Sequence, residues 1–260
     1  MRINGSIIGS NVVPGIVSGA SGFWGLQNVD IANRSRTWPT DLVTNNISLF
    51  LDAGNTNSYP GSGTTWTDLS GYGNTGTLTN GPTFNSTNGG SIVFDGSDDY
   101  VNISNASILN NSSQTINIWF LYTSIPGNGV SVMGKHDSLG SYSGYNMYLY
   151  AGSVGCQFKN GSGADVGSLG TVMSANTWTL ITMKFTISGT MTIYKNGSKI
   201  STTSLGSLSI VSQPLRIGRS VDTYWSALPG RVAGVQIYNR ELSDDEVLQN
   251  YNATKSRYGL

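Results

Sequence analysis

This chain has little charge, one cysteine, one histidine and two glutamates, and each shortage removes a class of function. Charged residues make up 11% of the 260, well under the roughly 25% of an average globular protein. Lys and Arg number 14, as do Asp and Glu. With no basic block to follow a phosphate backbone, nucleic acid is excluded as a partner. The single Cys156 rules out an internal disulfide framework and any multi-cysteine metal site, and is read as a small buried strand residue. No run approaches the roughly 18 apolar residues that a membrane span needs. Met1 to Gly5 leads into Gly-broken polar sequence without a continuous apolar segment, so no secretory leader is expected. Triplets such as Asn85-Ser86-Thr87 then reflect composition rather than glycosylation.

What the chain does have is β-forming and turn-forming residues. Gly 34, aromatics at 10% and abundant Ser, Thr and Asn favour short strands joined by turns, hence an all-β fold. The central stretch is Ser91-Ile92-Val93-Phe94-Asp95-Gly96-Ser97-Asp98-Asp99-Tyr100-Val101-Asn102-Ile103. Both arms alternate with the period-two pattern of half-buried strands, and the link between them carries three carboxylates within five residues. Like charges so close must be solvated, hydrogen-bonded to backbone amides or shared with a cation; turn and metal loop are both open.

Further strands are expected at Ile47–Asp52, Thr115–Tyr122, Val130–Met133, Tyr145–Tyr150, Gly155–Phe158, Trp178–Ile187, Leu215–Gly218 and Val232–Tyr238, the last with Ala233, Val235 and Ile237 on one face. Asn196-Gly197 between alternating runs predicts a type I′ hairpin. One helix is expected, near the C-terminus: Ser243-Asp244-Asp245-Glu246 is a capping box, and Val247, Leu248 and Tyr251 give the helix an inward face.

Residues 1–44 form an irregular arm and 45–260 the domain. Gly15, Gly19, Gly22 and Gly25 oppose a helix in the arm. Trp24, Leu26, Trp38 and Pro39 are the anchor candidates. The two Trp need a surface to bury against, either the domain's own flank or another subunit.

Four stretches together resemble laminin G-like domains of the concanavalin A-like lectin/glucanase superfamily. Trp66 to Asn74 is similar to a W-x-D-x-S-G-x-G-N loop and Phe94 to Val101 to an F-D-G-x-x-D-Y-V turn. Tyr194 to Gly197 resembles a Y-x-N-G hairpin, and Ile237 to Glu246 an I-Y-N-R-x-L-S-x-x-E ending. The resemblance covers about Asn46 to Tyr258 and implies a jelly-roll sandwich of two antiparallel sheets. It also implies a rim Ca²⁺ held by Asp68, Asn74, Asp95 and Asp98, oxygen donors that suit this cation. The acid that family members carry in the strand before I-Y-N-R is absent from Val232-Ala233-Gly234-Val235.

Glucanases of this superfamily pair Glu residues on a strand, with carboxylates about 5 Å apart. Here Glu241 and Glu246 flank or belong to the capping box, and His136 has no nucleophile-elbow context. The chain is therefore read as a non-enzyme. A sugar site needs aromatic faces and fixed polar groups, and Tyr142, Tyr145, Tyr148, Tyr224 and Trp225 are the candidates, placed in loops.

Gly22 to Gln27, with Arg34 and Trp38-Pro39, resembles the stretch that precedes such domains in structural proteins of tailed bacteriophages. This implies a virion component assembled in the host cytoplasm: a capsid decoration, capsid-fibre or tail-associated subunit. Its expected partners are other virion proteins through the arm and host-surface glycans, and it is expected to be a homo-oligomer in the particle. The alternative is a non-viral carbohydrate-binding module.

Overall fold

The structure, a computed structural model, describes residues 42–127, 129–137, 143–160, 165–187, 189–205, 211–221 and 224–260. The anchor candidates Trp24, Leu26, Trp38 and Pro39 lie outside these residues, as does Tyr142.

Two eight-stranded antiparallel sheets make the expected sandwich. The first runs β14 (Ser198–Ser204), β13 (Thr190–Lys195), β12 (Thr179–Thr186), β7 (Ser113–Tyr122), β16 (Pro229–Tyr238), β5 (Ser91–Asp95), β4 (Thr83–Asn85), with β1 (Ile47–Asp52) also on β16. The second runs β11 (Asp165–Val172), β10 (Ser153–Asn160), β9 (Ser143–Tyr150), β8 (Val130–His136), β15 (Leu215–Ile217), β6 (Tyr100–Ile103), β3 (Gly76–Thr79), β2 (Thr65–Trp66). The core between them takes alternate side chains from each strand: Ile116, Ile118 and Phe120 of β7, Met183 and Phe185 of β12, Met147 and Leu149 of β9, Cys156 and Phe158 of β10. Each contributes about 1.5–3 kcal/mol by leaving water. Cys156 is buried as expected, and burial pushes its thiol pKa up.

The acidic stretch is a corner. β5 belongs to the first sheet and β6 to the second, so the link Gly96 to Asp99 carries the chain across the sandwich instead of closing a hairpin. The expected two-residue hairpin is at Asn196-Gly197, where Lys195 pairs with Ser198 and both turn residues have positive φ (51° and 77°); Ala151-Gly152 closes a second one between β9 and β10 (φ 48° and 81°).

A bulge corrects the expected face of β16. The register on β7 shifts between Val232 and Gly234, and the extra residue turns the strand over locally. Val232, Val235 and Ile237 enter the inter-sheet core. Ala233 points the other way, into a cluster with Trp119, Leu121, Trp178, Leu180 and Tyr258.

That second cluster closes the outer face of the first sheet. The helix α1 (Asp244–Thr254) begins with the predicted capping box: Glu246 N donates to Ser243 Oγ at 3.1 Å, and Ser243 N donates to Glu246 Oε2 at 2.8 Å. Salt bridges from Lys184 (2.7 Å) and Lys199 (2.8 Å) to Asp244 tie its first turn to the sheet. The ring of Trp119 stacks on Tyr258 (4.1 Å) and Tyr251 (6.0 Å). The inward face of α1 is Val247, Asn250 and, partly, Tyr251, not Leu248. Leu248 is exposed and lies beside the Gly197 turn. On the arm's side of residue 44, Leu42 and Val43 are already buried: Val43 N donates to Asn250 Oδ1 (2.9 Å), and Tyr238 Oη donates to Val43 O (2.8 Å).

Candidate functional site

The four residues expected around one cation fall in two places. Asp68 is buried, with both carboxylate oxygens spent inside the chain. Oδ1 accepts from Phe50 N and Ser70 N (both 2.9 Å), and Oδ2 accepts from Ser70 Oγ (2.7 Å) and Asn74 N (2.8 Å). Asn74 Nδ2 donates to Ser48 O at 2.8 Å. Together they strap the loop onto β1, and Leu69 N donates to Phe50 O (2.8 Å) along the same edge. Phe50 is opposite Gln236 on β16 and Asp95 is opposite Pro229. Seven residues of strand, about 23 Å, separate the two places.

At the corner, Asp95 and Asp98 are joined by Asp99, which the expected set omitted; their carboxylate oxygens lie within 4.8 Å of one another. Asp95 Oδ1 accepts from Ser97 N (2.7 Å), and Asp99 Oδ2 accepts from Asp95 N (3.0 Å). Burial raises the pKa of Asp99, and the charges of Asp95 and Asp98 add to that rise against the lowering effect of the Asp95 N–H.

The aromatic candidates also divide, and the strand period decides how. Tyr145 and Tyr148 lie in β9, not in loops. Tyr145 shares the inward face with Met147 and Leu149, packs on Phe158 and Phe185, and is core. Tyr148 points outward. Its ring stacks on Trp225 at 4.4 Å and 27°, and Trp225 meets Tyr224 edge-on at 5.1 Å. Tyr224 is 59% exposed. Three of the five candidates therefore form one platform.

Glycines let these rings lie flat. A Cβ at Gly155 would stand 2.4 Å from the Tyr148 ring, and one at Gly129 would stand 2.9 Å from Trp225. Trp225 is held by the backbone after it, where Ser226 N donates to Gly129 O and Ser131 N donates to Ser226 O (both 3.0 Å).

Beside the platform a polar row crosses the second sheet on the same outer face. Strand pairing sets Thr77, Asn102, Arg216, Gly134, Asn146 and Gln157 opposite one another in turn. Sequence reasoning missed Asn102, Arg216, Asn146 and Gln157. The alternation of Tyr145, Asn146, Met147, Tyr148 and Leu149 carried the signal for Asn146, but nothing local brings Arg216 to it.

The remaining titratable groups act as ties. Ser220 Oγ is 2.7 Å from His136 Nε2, but the two residues are 1% and 2% exposed, closed to a substrate. Lys135 is buried and donates to Asn105 Oδ1 (2.8 Å), Val211 O (2.9 Å) and Gln213 O. Burial pushes its pKa down to about 8. Glu241 accepts from Thr186 Oγ1 (3.0 Å), and Glu246 pairs in two contacts with Arg240 (2.6 and 2.7 Å). Both sit at the start of α1, on the side of the first sheet.

A family model described as concanavalin A-like lectin/glucanases superfamily matches residues 95–248. No curated protein sequence matches the chain. Among solved structures, the binding domain of Paraclostridial Mosquitocidal Protein 1 is similar at 18% identity and a TM-score of 0.67, over 81% of this chain and 52% of that one. The receptor binding domain of botulinum neurotoxin C/D mosaic serotype is similar at 16% identity and a TM-score of 0.65, over 81% and 52%. A botulinum neurotoxin type C structure, titled for cell entry dependent on two ganglioside molecules, gives 17% and 0.64, over 82% and 52%. The chain spans about half the length of these domains.

Proposed function

The chain belongs to the concanavalin A-like lectin/glucanase superfamily, and from that premise we propose that it is a non-enzymatic glycan-adhesion protein of a tailed-phage virion, displayed by its N-terminal arm. One observation carries the adhesion reading: the Tyr148, Trp225 and Tyr224 platform stands beside a row of amide and hydroxyl groups on one outer sheet face. Aromatic faces take the apolar side of a sugar ring, and fixed amides take its hydroxyls. The outer face of the other sheet is covered by α1 and Tyr258. That the mosquitocidal and neurotoxin neighbours are titled as binding domains supports adhesion over hydrolysis.

A glycan array probed with the full chain and with Trp225→Ala tests it. The variant is expected to lose about tenfold or more in affinity at an unchanged Tm. Equal binding by both proteins would remove the platform from the site.

The virion part rests on residues 22–39. The chain is expected to sediment with purified virions, and deletion of residues 1–41, which spares the buried Leu42 and Val43, to release it. Retention of the truncated chain would overturn the arm's role.

The Ca²⁺ implied by the family likeness belongs to the same proposal, at the corner. Asp68 and Asn74 lie too far from the corner to share it, and the Asp68 oxygens already accept from three backbone N–H groups and Ser70 Oγ. Asp95, Asp98 and Asp99 offer converging carboxylates, hard donors for a hard cation.

A further inference from the structure

Among the described residues six large apolar or aromatic side chains stand exposed, and three of them gather at one end of the second sheet's outer face: Tyr150 (49%), Val172 (68%) and Tyr224. Strand alternation puts the first two there. Leu149, Val154 and Met173 belong to the core, so Tyr150, Ser153 and Val172, each a chain neighbour of one of them, face outward. Ser153 is opposite Tyr150 on β9 and opposite Val172 on β11, and the three form one row to the sheet's edge. The Ala151-Gly152 turn closes the first pair, and a Cβ on Gly152 would lie 4.0 Å from Val172 Cγ1.

This row continues the aromatic platform. Tyr150 follows Tyr148 on the same face, about 7 Å along β9, and Val172 lies two strands over, about 10 Å from Tyr150. Tyr148 itself is nearly closed, with its ring over Gly155 and stacked on Trp225. Tyr224 and Trp225 thus make one apolar surface, and Tyr150 with Val172 a second, on either side of a covered ring. The Tyr150 side chain has no hydrogen bond and no ring contact among the described residues. Exposed apolar groups gathered in this way mark a contact site.

The chemistry of the row says what it contacts. None of its side chains is charged, and Lys195 at its margin donates to Val172 O (2.9 Å). Tyr150 Oη and the Ser153 hydroxyl stand beside the apolar faces, which is the combination a sugar needs. A pyranose ring has about the footprint of one aromatic ring, so two surfaces separated by a covered ring exceed a single sugar unit.

Resting on the glycan reading above, we infer that the platform is one half of a longer site, and that the protein binds a run of consecutive units in a linear, uncharged polysaccharide rather than one terminal sugar. The Tyr224 and Trp225 faces take one unit. Tyr150, Ser153 and Val172 take a unit further along the same saccharide chain.

The test is an array of neutral gluco-, manno-, galacto- and N-acetylglucosamine oligosaccharides, each printed as a series from the monosaccharide to the hexasaccharide and probed with the full chain. In the series it binds, the wild type is expected to gain about tenfold or more in affinity between the monosaccharide and the tetrasaccharide. Tyr150→Ala should remove most of that gain at an unchanged Tm, and Val172→Ser part of it. Tyr72→Ala removes a similarly exposed tyrosine from the loop strapped to β1 and should leave the series as it is. If the wild type binds the monosaccharide as tightly as the tetrasaccharide, or if Tyr150→Ala and Val172→Ser both keep the full gain, the second surface is not part of the site and adhesion through Trp225 stands. If no neutral series binds while a broader array finds another glycan, the uncharged polysaccharide is overturned and adhesion again stands. If no glycan binds at all, both readings fall.

Discussion

Arg257 Nη1 donates to Asp52 Oδ1 at 2.6 Å, joining the C-terminal turn to the end of β1. The same guanidinium reaches Asn88 O (2.8 Å), Gly89 O (3.2 Å) and Gly90 O (2.7 Å). β1 and β5 lie one after the other along the same edge of β16, and Arg257 sits at the gap between them. Arg257→Ala removes a partly buried charge and leaves Asp52 without its ion partner. The expected loss is about 3 kcal/mol, read from urea melts at constant m. Arg257→Lys keeps the charge but not the fork, and should recover less than half. A loss under about 1 kcal/mol for the alanine variant would make the clamp incidental.

Asp68 is a loop organiser on this geometry. Asp68→Ala strands the N–H groups of Phe50, Ser70 and Asn74, and should cost about 2–4 kcal/mol in denaturant melts. Any Ca²⁺-dependent rise in Tm should survive the change. A variant that keeps its stability but loses the response to Ca²⁺ would return Asp68 to the cation site.

At the corner, the carboxyl of Asp99 is expected to titrate above an ordinary aspartate, because burial and then the charges of Asp95 and Asp98 favour its neutral form. Saturating Ca²⁺ should bring the titration down, as should Asp98→Asn to a smaller extent. Carboxyl NMR resonances read both shifts. An Asp99 titration indifferent to Ca²⁺ would argue against a cation at the corner.

Acid should loosen the C-terminal cap. The paired contacts with Arg240, and next the Ser243 N–H, hold the Glu246 pKa down to about 2 from the ordinary 4.5. A depressed carboxylate stabilises the fold above its unfolded pKa, and that contribution is lost as pH falls from about 4.5 to about 2. With the side chain 29% exposed, about 1–2 kcal/mol is expected after allowing for solvent. Glu246→Gln should cost this much at pH 7 and nothing near pH 2. A constant difference between variant and wild type across that window would contradict the linkage.

Much of the sandwich was legible because alternation and capping are local. Ile92 and Phe94, or Ser243 and Glu246, signal their roles within a few residues, since a strand's period and a helix's first turn depend on no distant partner. The same alternation already set Tyr145 and Tyr148 on opposite faces of β9. What it did not carry was which face is inward, because that depends on the strands against which β9 packs.

The sequence by itself determined most of the strands, though not β2, β3, β4 or β11, together with the Asn196-Gly197 turn, the capping box and the family likeness. Tertiary structure decided the rest: that Ala233 turns outward at a bulge, that Asp68 and Asp95 lie far apart along β16, that Trp225 stacks on Tyr148, and that Arg216 shares a row with Asn146. The reason is physical. Side-chain periodicity is a property of a few consecutive bonds, whereas a binding face is made by strand order, and strand order is set by hydrogen bonds and apolar burial between segments tens to hundreds of residues apart.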